Sequence, residues 1–149
     1  MHERTATQPE PTRNPGRRII ILVVDDDAFV RQATRAILED HGHTVLEAAD
    51  GVEGVALFRR DHTRIHVVVL DIEMPRMDGA EAFRQIRAIR GDVPVIVVSG
   101  CSQEDYRHRL PVAELAGVLR KPFGLDELLS AVGRVAPSEA IRTTRLERA

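Results

Sequence analysis

The 149-residue sequence predicts an α/β fold, in which helices cover both faces of a doubly wound, five-stranded parallel sheet. Short runs rich in valine and isoleucine alternate with segments that carry apolar residues at the helical spacing i, i+3, i+4. Strands buried on both faces are typically continuous apolar runs, and parallel strands require crossover connections between them. A composition of 43% hydrophobic and 30% charged residues indicates one globular domain with a substantial core.

The elements are predicted in chain order from these two patterns. The strands are the apolar runs 19–24, 45–48, 67–70, 93–98 and 118–119. The helices are the segments with an apolar stripe, 29–40, 52–60, 80–90 and 125–135. A further helix is expected between the fourth and fifth strands, where Pro111 removes a helical hydrogen bond and clashes with the preceding turn. We expect this helix to end near Leu110, followed by an irregular link to the fifth strand.

The folded domain is expected to span residues 18–136. Residues 1–17 contain three prolines and no apolar periodicity, which is typical of a disordered leader. Residues 137–149 contain Ile141 and Leu146 as their apolar anchors, and we expect them to form a tail or a short helix.

Charge and hydropathy exclude several classes of partner. The formal net charge of −2 gives no overall field that would recruit nucleic acid directly or bind an acidic membrane surface. No apolar run approaches the roughly 20 residues of a membrane span, and the N-terminus lacks the apolar stretch of a secretory signal. The expected location is therefore the cytoplasm. The single cysteine, Cys101, excludes an internal disulfide.

Polar side chains that could carry chemistry follow four of the five predicted strands. Ligands of open α/β sheets bind beyond the carboxyl ends of the strands, so we expect these side chains to lie close together. They are Asp25, Asp26 and Asp27 after the first strand, Asp71 after the third, Ser99 after the fourth, where Gly100 follows it, and Lys121 after the fifth, where Pro122 follows it.

This set of side chains favours a magnesium site that handles phosphate. Crowded carboxylates stay ionised together only when a cation or a proton compensates their charge. Oxygen ligands without cysteine or histidine favour Mg²⁺, and Mg²⁺ beside a carboxylate, a hydroxyl and a lysine can hold a phosphoryl group. We therefore expect phosphoryl transfer. Asp27 is interpreted as the N-cap of the first helix, and Asp78-Gly79 as the turn into the third.

Four motifs, in their order and spacing, resemble the signatures of the receiver domains of two-component signalling. They are ILVVDDD at 21–27, VVVLDIEMPRMDG at 67–79, VIVVSG at 95–100 and LRKPF at 119–123, and the resemblance covers residues 18–135. It implies a flavodoxin-like (βα)5 fold with strand order 2-1-3-4-5, similar to that of the chemotaxis regulators. It also implies a phosphoacceptor domain that switches conformation to signal to a protein partner, and that is not an enzyme beyond self-catalysed phosphorylation and dephosphorylation.

The resemblance assigns roles to the acidic residues. Asp71 would take the phosphoryl group from a histidine kinase or a histidine phosphotransfer protein. Asp25, Asp26 and Asp71 would bind Mg²⁺ together with the backbone carbonyl of Glu73.

The resemblance further implies that Ser99 moves to hydrogen-bond the phosphoryl group, that Lys121 pairs with it, and that the bond between Lys121 and Pro122 is cis. Two positions depart from the family pattern. Val118 stands where many members have an aromatic switch residue, so a rotating aromatic ring cannot report phosphorylation there. The segment 102–117 contains Pro111 and lacks the usual Gly-Ala turn, which predicts an unusual output face.

Two alternatives remain open. A haloacid-dehalogenase-like phosphatase would use Asp25 as its nucleophile, because Asp25-Asp26-Asp27 resembles the DxDx loop of those enzymes. Such an enzyme needs a further acidic motif after the lysine strand and leaves Asp71 unexplained. A receiver-shaped interaction module that is never phosphorylated would have no use for the complete set of key residues. The sequence does not specify the cognate kinase, the downstream partner, the oligomeric state or whether the domain relays its phosphate.

Overall fold

The structure is a computed structural model that describes residues 18–100 and 106–135. The predictions for the leader, 1–17, and for the tail, 137–149, lie outside the described residues. Within these two ranges, no helix has the length and apolar character needed to cross a membrane.

A five-stranded parallel sheet forms the centre of the molecule, in the order β2-β1-β3-β4-β5. The doubly wound α/β class and the strand order 2-1-3-4-5 are therefore confirmed. The strands are β1 (Ile20–Val24), β2 (Thr44–Ala48), β3 (Val67–Asp71), β4 (Val95–Ser99) and β5 (Gly117–Arg120). The chain moves outward from β1 in both directions along the sheet, so the carboxyl ends of β1 and β3 lie side by side at the centre.

Helices precede or follow each strand on the two faces of the sheet. They are α1 (Ala28–Asp40), α2 (Gly51–Asp61), α3 (Gly79–Ile89) and α4 (Leu125–Val135). An aspartate caps each of the first three helices by accepting hydrogen bonds from amides of the first turn. The predicted roles of Asp27 as an N-cap and of Asp78 in the turn into the third helix are confirmed.

Most predicted boundaries agree with the structure to within two residues. Among the strands, the largest shift concerns β4, which begins at Val95 instead of at residue 93. Pro94 has no amide hydrogen and cannot donate to a neighbouring strand, although its carbonyl accepts from the Val68 amide at 3.0 Å.

The described residues 106–116, which lead into β5, form an irregular link, as predicted from Pro111. Tyr106 and Arg107 are helical, and the amides of Arg109 and Leu110 close a turn on the carbonyl of Tyr106. The helical residues therefore end at Arg107, three positions earlier than expected. A short 3-10 helix, Val112–Glu114, leads into β5.

Two apolar layers sandwich the sheet because alternate strand residues face opposite sides. One layer joins residues 22, 24, 68 and 70 of β1 and β3 to Phe58 of α2 and Phe83 of α3. The other joins residues 21, 23, 67 and 69 to Leu38 of α1 and Leu128 of α4. Complete burial of one such large side chain contributes roughly 1.5–3 kcal/mol. Apolar packing thus covers both faces of the sheet, and the polar candidate residues lie at the edge formed by the carboxyl ends of the strands.

Candidate functional site

Three carboxylates converge at the carboxyl ends of β1 and β3. Asp71 is the last residue of β3, and Asp25 and Asp26 directly follow β1. One carboxylate oxygen of each residue lies within 4.8 Å of the others. Asp25 and Asp71 are 4% and 2% exposed, whereas Asp26 faces solvent. The strand order brings these acids together because β1 and β3 are direct neighbours.

The two buried carboxylates are oriented by amides of the loops that follow them. Asp25 Oδ1 accepts a hydrogen bond from the Asp27 amide at 2.9 Å, and Asp71 Oδ1 accepts one from the Glu73 amide at 3.0 Å. The main chain of Asp25 is also fixed, since its carbonyl accepts from the Arg31 guanidinium at 2.7 Å. Each acid therefore keeps its second oxygen, Oδ2, directed toward the shared site.

Lys121 connects both buried acids. Its Nζ lies 3.1 Å from Asp25 Oδ2 and 3.1 Å from Asp71 Oδ2. The backbone amide of Lys121 donates to the carbonyl of Ser99 at 2.8 Å, which fixes the end of β5 against β4. The peptide bond between Lys121 and Pro122 is cis.

Burial and neighbouring charges shift the pKa values of Asp71 and Lys121. Burial, together with the charge of Asp25, raises the pKa of Asp71 to about 6, although the Glu73 amide and Lys121 oppose this shift. Burial alone would lower the pKa of the Lys121 ammonium, but its hydrogen bonds to Asp25 and Asp71 outweigh burial and raise it. An additional cation at this site would favour ionised Asp71.

The donor set fits Mg²⁺. The three converging ligands are all carboxylate oxygens, which suit a hard divalent cation, and the exposed side of Asp26 leaves room for the waters that Mg²⁺ retains. The Glu73 main chain lies next to Asp71, because its amide bonds to that carboxylate. These residues could therefore hold a partly hydrated magnesium ion.

The remaining predicted residues lie on β4 and β5. Ser99 is 1% exposed and ends β4, one residue beyond Val98, which is the register partner of Asp71. Val118 lies on β5 and is 38% exposed. Ser99 thus lies at the same edge as the acids, whereas Val118 lies one strand farther out.

Sequence reasoning missed three residues near this edge. Arg31 of α1 supports the Asp25 carbonyl, and Asp50 forms an ion pair with Arg76 from the loop that follows Asp71. Asp50 could have been found, because it follows β2 as the other candidates follow their strands. No local signal indicated Arg31 or Arg76, since their partners lie on other elements.

Comparisons with known proteins agree with the site. Residues 21–133 match the family model of the response regulator receiver domain. The chain is 39% identical to the response regulator MprA of Mycobacterium ulcerans over 127 residues. The aligned region covers 85% of this chain and 52% of that protein. The chain is also 37% identical over 117 residues to the sensor kinase CckA of Brucella abortus, covering 78% of this chain and 12% of that protein. The chain thus spans about half the length of the first of these relatives and a small part of the second.

Solved structures give the same result. The chemotaxis protein CheY4 of Vibrio cholerae superimposes with a TM-score of 0.72 at 29% identity, covering 79% of this chain and 98% of that one. The receiver domain of the sensor histidine kinase PA1611 from Pseudomonas aeruginosa, which has a magnesium ion coordinated in its active-site cleft, gives a TM-score of 0.73 at 29% identity, covering 80% and 98%. With its fold, its acidic site and these matches taken together, the chain belongs to the response regulator receiver domain family of two-component systems.

Proposed function

We propose that this domain accepts a phosphoryl group on Asp71 from a phosphohistidine of a histidine kinase or a histidine phosphotransfer protein. The observation that carries the proposal is the placement of Asp71, which is nearly buried yet lies among two other acids and the ammonium of Lys121. The ammonium beside this buried carboxylate would offset the negative charge of a phosphoryl group. A structural carboxylate without such a cation would repel that group.

In the proposed reaction, a carboxylate oxygen of Asp71 attacks the phosphorus atom. The new P–O bond forms as the P–N bond of the phosphohistidine breaks, and the imidazole leaves with the electron pair and takes up a proton. Asp25, Asp26, Asp71 and the Glu73 carbonyl would hold Mg²⁺, which would supply neutralising charge for the phosphoryl oxygens. Attack of water on the aspartyl phosphate later returns the carboxylate and releases inorganic phosphate. The proposal includes no enzymatic activity beyond this self-catalysed gain and loss of phosphate.

Lys121 and Ser99 are proposed to read the phosphorylated state. The Lys121 ammonium already faces Asp71 Oδ2, and Ser99 ends the neighbouring strand at the same edge. Contacts from these two residues to the phosphoryl group would change the conformation of β4, β5 and their connection. The changed surface would signal to a protein partner, and the cytoplasmic location expected from the sequence remains part of this proposal.

The two alternatives are less well supported. In a dehalogenase-like phosphatase Asp25 would be the nucleophile, and the geometry alone gives Asp25 and Asp71 equal distances to Lys121. Membership of the receiver family supports Asp71, and not Asp25, as the residue that accepts the phosphoryl group. A module that is never phosphorylated would not require three acids and a lysine to converge at one edge.

Mapping the phosphorylated residue tests the proposal. Wild-type protein is incubated with acetyl phosphate and Mg²⁺, and its intact mass is expected to increase by one phosphate; chelation of the metal should prevent the increase. Asp71→Asn should gain no phosphate, because the near-isosteric amide is a poor nucleophile. In Asp25→Asn, any phosphate that still forms should map to the peptide containing Asp71. Phosphate on the Asp71→Asn variant would reject the assignment.

A further inference from the structure

The loop that follows Asp71 contains a strained residue. Among the described residues, Arg76 is the one non-glycine position with a positive φ, at 69°. The amide of Met77 donates to the carbonyl of Pro75 at 2.8 Å, so Arg76 is the central residue of a γ-turn. A non-glycine residue in this left-handed region needs support from its surroundings.

The support comes from Asp50, the N-cap of α2. Asp50 Oδ1 accepts a hydrogen bond from the Glu53 amide at 2.8 Å, and its Oδ2 accepts one from the Arg76 guanidinium. Asp50 is 6% exposed, whereas the side chain of Arg76 is 71% exposed. The exposed arginine therefore reaches a fixed, buried carboxylate, and such charge-assisted hydrogen bonds are stronger than neutral ones.

The same loop also packs against its surroundings at two glycines. A Cβ atom at Gly51, in the first turn of α2, would lie 2.7 Å from the carbonyl oxygen of Met77. At the other end, the Gly79 amide donates to the carbonyl of Ile72 at 3.1 Å, and a Cβ at Gly79 would lie 2.3 Å from the Ile72 Cα. The loop thus contacts the start of α2 in its middle and the end of β3 at its base.

Glu73 lies in this loop, between Asp71 and Arg76. Its amide bonds to Asp71 Oδ1, and its carbonyl is the main-chain ligand assigned to Mg²⁺ in the proposed function. We infer that the ion pair between Asp50 and Arg76 is a latch that keeps the Glu73 main chain in place beside Asp71. The latch residues form no hydrogen bond or ion pair with Asp71 in the described structure, so both are positioning residues. This inference rests on the proposed function.

Two simpler roles make different predictions. If the pair acted on the metal only through its charges, removing the positive Arg76 would strengthen Mg²⁺ binding, and removing the negative Asp50 would weaken it. If the pair only stabilised the fold, its loss would lower the melting temperature and leave Mg²⁺ affinity unchanged. A latch predicts that loss of either partner weakens Mg²⁺ binding.

Calorimetric titration of Mg²⁺ into the complete chain distinguishes these roles. The variants are Asp50→Asn, which keeps an N-cap acceptor, Arg76→Gly, which relieves the positive φ, and the double variant. Arg84→Gln is the matched control, because Arg84 pairs with Glu81 on the exposed side of α3. Each single variant is expected to lower the Mg²⁺ affinity by about three- to tenfold. The double variant should lose no more affinity than the single variant that binds Mg²⁺ more weakly. The control should match the wild type.

A second measurement needs no metal. Hydrogen exchange at the Glu73 amide should become faster in all three variants, whereas the Glu81 amide, capped by Asp78, should be unchanged. Arg76→Gly should keep or raise the melting temperature while it weakens Mg²⁺ binding, a combination that a purely stabilising role does not produce.

The outcomes separate the two proposals. Opposite changes of affinity in the two single variants, or wild-type affinity in both, would overturn the latch while leaving the metal site standing. A wild-type protein that binds no Mg²⁺ would instead reject the proposed function itself.

Discussion

The ammonium of Lys121 lies 3.1 Å from Asp71 Oδ2, although 50 positions separate the two residues in the sequence. Lys121 is the only lysine among the 21 basic residues of the chain, and it lies at the end of β5 beside a second acid, Asp25. Phosphorylation of Asp71 would replace the single negative charge of its carboxylate by a phosphoryl group of about −1.5 to −2 units of charge at the end of this side chain. The lysine is therefore already placed beside the group it would bind in the phosphorylated state.

Lys121→Arg is expected to separate phosphorylation from the conformational response. The variant keeps the net charge, and Mg²⁺ provides most of the charge neutralisation, so Asp71 should still accept phosphate. A planar guanidinium is broader than an ammonium and requires paired acceptors, so the contact with the phosphoryl group should be impaired. The measurement compares amide chemical shifts with and without beryllofluoride, a phosphoryl mimic. Identical responses around Ser99 and residues 106–115 in both proteins would show that arginine can replace this lysine.

The raised pKa of Asp71 predicts how stability depends on pH. The folded protein binds this proton with a pKa of about 6 and the unfolded chain with a value near 3.8, so unfolding releases a proton between these values. Stability from this group is therefore present at low pH and is lost as the pH rises through about 6. Asp71→Asn, which lacks the charge, should match the wild type near pH 4 and exceed its stability by about 2–3 kcal/mol near pH 8.

Denaturant unfolding of both proteins in metal-free buffer measures this difference across the pH range. Saturating Mg²⁺ should reduce the gap at high pH, because the ion binds the folded wild type and compensates its buried charge. A constant difference between the two proteins from pH 4 to pH 8 would contradict the raised pKa.

Asp26→Ala should weaken Mg²⁺ binding without destabilising the metal-free fold. Asp26 is exposed, so truncation removes a ligand oxygen but opens no cavity. We expect the affinity to fall by roughly tenfold or more, as even the loss of an outer-shell partner can have that effect. Calorimetry with Asp27→Asn as the control checks this, since asparagine preserves the helix cap while it removes a neighbouring charge. Equal losses in both variants would show that net charge, and not ligation, sets the affinity.

Gly79→Ala should destabilise the protein strongly. The new Cβ would lie 2.3 Å from the Ile72 Cα and 2.6 Å from the Asp71 carbonyl oxygen, and neither backbone atom can move without disturbing the end of β3. A loss of about 3 kcal/mol or more is expected, because the clash cannot be relieved by a side-chain rotation. Gly133→Ala is the matched control: nothing lies within 4 Å of its Cβ, and alanine favours an exposed helix by about 1 kcal/mol. Similar melting temperatures for the two variants would contradict the close contact at Gly79.

The elements themselves could be predicted because their signal is local. The run of β1 and the stripe of α4 each follow from which neighbouring residues are apolar, and residues 125–135 form a helix with the predicted bounds. The shift at Pro94 shows where this signal fails, since a proline is apolar but cannot donate to a strand. The strand order was expected from the family resemblance, and periodicity alone does not determine it.

The sequence by itself determined which residues end the strands, and therefore that Asp25, Asp71, Ser99 and Lys121 belong to one edge of the sheet. Only the tertiary structure decided their contacts, such as one ammonium shared equally by two acids. It also decided that Asp50 holds the loop containing Arg76, which no local pattern indicated. The reason is physical: burial patterns repeat over two to four residues, whereas a hydrogen bond across 50 positions depends on strand order, register and the path of each loop.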